Sequence, residues 1–169
     1  MATSYQDMNV LYAPALVAEK SADMERVYEA NRHRVYSLAF WMTDNELAAE
    51  QVAAAAFVRA FAASGGPTAE MIDRALLAEV RELMSLGELT LACDAATEIV
   101  NVRHNVKRIH LERAVVELPA TERLLFLMHD VESYDKVRIA RLLGLSQDEV
   151  LQGLHQARLR MRELIAAQL

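Results

Sequence analysis

The stretch that decides the fold is Lys136-Val137-Arg138-Ile139-Ala140-Arg141-Leu142-Leu143-Gly144-Leu145-Ser146-Gln147-Asp148-Glu149-Val150-Leu151-Gln152-Gly153-Leu154. Its first part, Lys136 to Leu143, reads as a short helix that packs Val137, Ile139, Ala140 and Leu143. Gly144 then sits at the C-terminal cap, where a left-handed backbone is needed and no Cβ resists it. Ser146, followed three residues later by Glu149, is a capping box that starts the next helix. Beyond it Val150, Leu154, Ala157, Met161 and Leu164 recur at helical spacing, so they form one buried stripe.

Upstream, Leu118-Pro119 puts a proline where a helix begins. Leu124, Leu125, Leu127 and Met128 fill that helix, and Ser133 to Asp135 makes a turn. Two helices joined by a tight glycine-containing turn, with a preceding helix packed across them, is the helix-turn-helix plan. In that plan the second helix lies in the DNA major groove and its N-terminal residues meet base edges. Here those residues are Gln147, Asp148, Leu151, Gln152 and His155.

Outward from this unit the chain is helical in character throughout. Apolar residues make up 53% and aromatics only 6%, with five Gly and three Pro. Ala, Leu, Met, Glu and Arg lose little on entering a helix, so the composition predicts an all-α protein. Residues 1–20 lack a clear period and contain Pro14, which predicts a partly ordered arm. From Ser21, Met24, Val27, Tyr28, Val35, Leu38, Ala39 and Met42 share one stripe. Thr43 with Glu46 three residues on predicts a capping box and a second helix running to about Phe61. Gly65-Gly66-Pro67 breaks the chain. A third helix follows from about Thr68 to Met84, with Met71, Ala75, Leu76 and Leu83 as its inner face. Residues 88–108 are apolar in places but carry no clear caps. The resulting division is an arm at 1–20, a helical domain at 21–87, a linker at 88–110 and a helix-turn-helix domain at 111–169.

The net charge of −6 is awkward for a nucleic-acid binder, because phosphate contacts supply much of the affinity. No third of the chain is basic overall. The most basic local stretch is Arg103, His104, Lys107, Arg108, His110 and Arg113, which suits a solvated face or a contact with phosphate or an acidic partner. The one cysteine, Cys93, excludes an intramolecular disulfide and reads as a small buried hydrophobe. No secretory leader is evident, and no apolar run approaches the roughly 18 residues a membrane span needs, so a cytoplasmic protein is expected. The five His have no ligand spacing with one another or with Cys93, and no phosphate loop or nucleophile motif is present. Neither an enzyme nor a metal, cofactor or small-molecule site is expected.

Several stretches resemble a known family. Leu118-Pro119-Ala120-Thr121-Glu122-Arg123, Asp130-Val131-Glu132-Ser133-Tyr134, Ile139 to Ser146, Val150 and Leu154 to Arg158 resemble region 4 of the extracytoplasmic-function sigma factors. Val35 to Ala39, Asp44, Ala49-Glu50 and Phe57 to Phe61 resemble region 2 of the same family. The resemblance implies binding to core RNA polymerase and to promoter DNA, with region 2 at the polymerase clamp and the −10 element and region 4 at −35. It also implies control by an anti-sigma factor. Carried onto this chain, it assigns DNA contacts to Arg141, Gln147, Gln152, His155, Arg158, Arg160 and Arg162, and polymerase contacts to Glu50 and Gln51.

The chain also departs from that pattern. Gln51, Ala54 and Ala55 stand where the family usually has Asp, Gln and Glu. Leu151, Gly153 and Gln156 stand where its recognition helix usually has Lys, Arg and Arg. The Trp and Asn expected after Phe61 are missing from residues 64–85, and no basic track follows there. Cation loss costs affinity steeply at physiological salt. Two readings stay open: a divergent sigma factor, or a sigma-like mimic that binds an anti-sigma factor or another regulator without reading DNA.

Overall fold

The computed structural model describes residues 6–91 and 106–169, and every described element is helical. In chain order they are α1 (Gln6–Thr43), α2 (Glu46–Ala63), α3 (Ala69–Leu83), α4 (Arg108–Glu117), α5 (Ala120–Phe126), a π-turn (Leu127–Val131), α6 (Lys136–Leu143) and α7 (Gln147–Ala166). The C-terminal four helices include the expected helix-turn-helix. Cys93, Arg103, His104 and most of the expected linker lie outside the described residues.

The N-terminal helices follow their apolar periods, with corrections. Helix α1 begins at Gln6 and runs unbroken through Pro14, where a partly ordered arm was expected. The surrounding Leu and Ala residues are strong helix formers, and they offset a proline that removes one backbone donor and crowds the carbonyl four residues back. Helix α2 is capped by Asn45, whose side chain accepts from the Ala48 N–H at 2.9 Å, and not by Thr43. The Thr43 hydroxyl donates back to the Ala39 carbonyl at 2.8 Å, so Thr43 ends α1 instead. In α3, Ile72, Ala75, Leu76, Leu77 and Val80 are buried, while the expected inner residue Leu83 is exposed. Ala49, Ala53, Ala56 and Ala60 line the inside of α2. Their small side chains let α1 and α3 approach closely around Val35, Leu38, Met42 and Ile72.

The two sets of helices pack on each other. Arg123 on α5 donates to the Met42 carbonyl at the end of α1 (3.1 Å) and to the Leu118 carbonyl (2.9 Å). It thereby ties together the C-terminal ends of α1 and α4, whose last carbonyls have no partner within their own helices. Residues 87–91, at the start of the expected linker, are strapped across α5. Thr121 Oγ1 accepts from the Gly87 N–H at 3.2 Å. The fully buried Glu122 carboxylate accepts from the N–H groups of Thr90 (2.6 Å) and Leu91 (2.9 Å). A buried carboxylate needs such donors to be tolerated at all.

Candidate nucleic-acid interface

The helix-turn-helix forms as its local signals require. Asp135 caps α6 by accepting from the Arg138 N–H at 2.8 Å. Gly144 closes α6 with φ of 71°, a backbone angle that strains any residue with a Cβ. Ser146 Oγ accepts from the Glu149 N–H at 3.1 Å, and the Glu149 carboxylate accepts from the Ser146 N–H at 2.7 Å. That reciprocal pair holds the Glu149 carboxyl below its ordinary range, mainly through the Ser146 backbone bond. Ile139, Leu142 and Leu143 of α6 and Val150, Leu154, Ala157, Met161 and Ile165 of α7 are buried. The opposite face of α7 is left to solvent.

All seven residues assigned to DNA contact are exposed. Gln147, Gln152 and His155 lie along the first half of the open face of α7, together with Asp148 and Leu151. The arginines are less available. Arg141 makes a two-pronged ion pair with Glu70 of α3, at 3.1 and 2.7 Å. Arg158 does the same with Asp130, at 2.9 and 2.5 Å. Arg160 pairs with Glu163 at 3.0 Å. Arg162 has no ion pair among the described residues.

Burial raises the Asp130 carboxyl. Hydrogen bonds from Arg158 and His129, with their charges, outweigh it and bring Asp130 below its ordinary value. Glu70 is also lowered, chiefly by its hydrogen bond from Arg74 and then, against some desolvation, by Arg141.

Two of the three departures in α7 change meaning in the structure. Gly153 and Gln156 are not on the open face; both are buried. A Cβ built on Gly153 would lie 2.7 Å from Leu89 Cδ2 and closer still to Leu125 Cδ1. The glycine is therefore the space into which α5 and the linker strap pack. Leu151 alone of the three stands exposed on the surface where a cation would meet phosphate.

Sequence reasoning missed Arg138 and Asp73. Asp73 on α3 is only 2% exposed, yet it has three donors around it. It accepts from Arg138 Nη2 at 2.5 Å, from Tyr134 Oη at 2.9 Å and from Arg34 of α1. The Arg138 guanidinium lies 4.0 Å from the Tyr134 ring centre. The signal was present in Tyr134 and Arg138 flanking the Asp135 cap, but nothing local names their partner.

The two polymerase candidates point to different sides of α2. Glu50 lines an open groove of about 720 Å3 with Tyr28, Arg32, His33, Tyr36 and Phe57. Gln51 lines a smaller hollow with Glu79, Glu82 and Leu83. Among the described residues, no group of His, Cys, Asp and Glu is placed to hold a metal ion. No described helix is long and apolar enough to cross a membrane.

Residues 108–161 match the family model for sigma-70, region 4. The match covers the helix-turn-helix and the helices that brace it, about a third of the chain. These helices are thus similar to sigma-70 region 4, and the protein is sigma-factor-like in this part. No curated protein matches the chain.

Proposed function

We propose that this region 4-like protein acts in transcription initiation by presenting α7 to promoter DNA while the α1–α2 face meets core RNA polymerase. What supports this reading is the capped, exposed front of α7 on a region 4-like framework, where Gln147, Gln152 and His155 are available to base edges and Arg141, Arg158, Arg160 and Arg162 flank them. Gln and His side chains are suited to base edges, and arginines flanking them are suited to phosphate. The N-terminal helices serve as a region 2 of the extracytoplasmic-function type, with Glu50 and Gln51 at the polymerase, and an anti-sigma factor controls the whole. Residues 21–87 and 111–169 are the two domains, joined by 88–110.

One observation favours the second reading, a mimic that binds a regulator without reading DNA. Three of the four arginines are spent on the chain's own carboxylates, and the first two turns of α7 carry no cation. The test is reconstitution with core RNA polymerase and promoter DNA over a salt series. A sigma factor forms a holoenzyme and a DNA complex that weakens as salt rises. Failure of both, with retained binding to an anti-sigma factor, leaves the mimic.

A further inference from the structure

Helix α6 is the element that crosses the phosphate backbone when a helix-turn-helix docks on DNA. One flank of it carries the part-buried Arg138 and the exposed Arg141, one turn apart. Helix α3 carries Glu70 and Asp73 at the same spacing. The two pairs meet in register: Arg141 with Glu70 at 2.7 Å and Arg138 with Asp73 at 2.5 Å. Arg81 of α3 adds a bond to the Leu143 carbonyl at the end of α6, at 3.4 Å.

We infer that Arg138 and Arg141 form a latent phosphate-binding site on α6, and that Glu70 and Asp73 of α3 occupy it in place of two DNA phosphates. A planar guanidinium receives a carboxylate and a phosphate through the same forked pair of N–H groups, so one substitutes for the other. The spacing matters as much as the charge. Two acids one helical turn apart face two arginines one helical turn apart, so both pairs form together. The α6 flank cannot lie on α3 and on a duplex at once. DNA binding by the full chain therefore requires α6 to leave α3, and the N-terminal helices act as a built-in competitor.

The inference rests on the DNA-contacting role proposed above for the helix-turn-helix. It adds Arg138 to the contact set and explains how an acidic chain can hold such a site with both guanidinium groups already paired.

The test uses the full chain and a short mixed-sequence DNA duplex at low salt, with the wild type, Glu70→Ala and Glu70→Ala/Asp73→Asn. Binding is read by fluorescence anisotropy over a salt series, and separation of the two halves by small-angle X-ray scattering. The double variant is expected to bind about tenfold tighter, with a salt slope steeper by about two, one for each freed guanidinium. Its scattering radius is expected to rise. Glu70→Ala alone, at a partly exposed position that does not threaten folding, is expected to show about half of the slope change. Adding Arg138→Ala and Arg141→Ala must cancel the gain.

Equal binding by wild type and opened variants overturns the masking while leaving DNA binding in place. A gain that survives loss of both arginines also overturns it, since net charge alone would then be the cause. No binding by any variant, with helical content intact, removes both the site and the DNA-reading role on which it rests.

Discussion

Asp73 and Arg138 lie 65 residues apart in the chain and meet at 2.5 Å, with the Asp73 side chain almost wholly out of water. A carboxylate so buried is tolerated only because Arg138, Arg34 and Tyr134 all donate to it. Removing one partner from a buried pair leaves the other charge uncompensated, at a cost of about 3–5 kcal/mol. Asp73→Ala is accordingly expected to lower the unfolding free energy by that amount in urea titrations. Asp73→Asn keeps an oxygen that accepts from Tyr134 and is expected to lose clearly less. Equal losses would mean that the charge of Asp73 carries the whole effect and the oxygen kept by Asn contributes nothing.

Acid is expected to weaken two other ion pairs, those of Glu70 and Asp130. The folded protein holds Glu70 below its ordinary value near 4.5 and Asp130 below its ordinary value near 3.8. A carboxyl with a depressed folded pKa stabilises the fold above its unfolded pKa, and that stabilisation is lost as pH falls through the folded one. Stability against urea should thus stay level from neutral pH down to about 4.5 and decline below it. Asp130→Ala should flatten the most acidic part of that decline. A decline that begins near pH 6 would implicate histidine instead.

Asp130 also holds Arg158 away from other anions. Asp130→Ala is expected to free that guanidinium on the exposed face of α7. Duplex binding should tighten and its salt slope should steepen by about one. Because Arg158 is nearly half exposed, the stability cost should stay within about 1 kcal/mol. Arg158→Ala in the same background should return binding to its starting level. Anisotropy titrations at several salt concentrations decide this.

How much of this was written locally differs from element to element. Gly144, Ser146, Glu149 and the stripe from Val150 to Met161 act on neighbours within a turn or two, so the helix-turn-helix could be read directly. The α2 cap shows where local reading fails. Thr43 and Asn45 are both competent caps, and the choice fell to Asn45 because the Thr43 hydroxyl found the Ala39 carbonyl inside α1. The partners of Arg138 and Arg141 could not be read at all, since Glu70 and Asp73 reach them only through the packing of α3 on α6. The same holds for Gly153 and Gln156. Their type suggested stripped DNA contacts, whereas their burial assigns them to the interior.

Gly153 provides the sharpest check on that reassignment. A glycine in mid-helix costs about 1 kcal/mol against alanine, so its presence in α7 calls for a reason. The reason in the structure is the space taken by Leu89 and Leu125. Leu125 is fully buried and cannot retreat, whereas Leu89 lies on the linker strap and is only partly buried. Gly153→Arg, which restores the residue usual in the resembling family, should therefore expel Leu89 and not Leu125. The strap is held by the bonds of Gly87 to Thr121 and of Thr90 and Leu91 to Glu122. Hydrogen exchange should show those three amides losing protection while the amides of α7 keep theirs. If Thr90 and Leu91 stay protected in the variant, the strap does not depend on the missing Cβ and Gly153 needs another explanation.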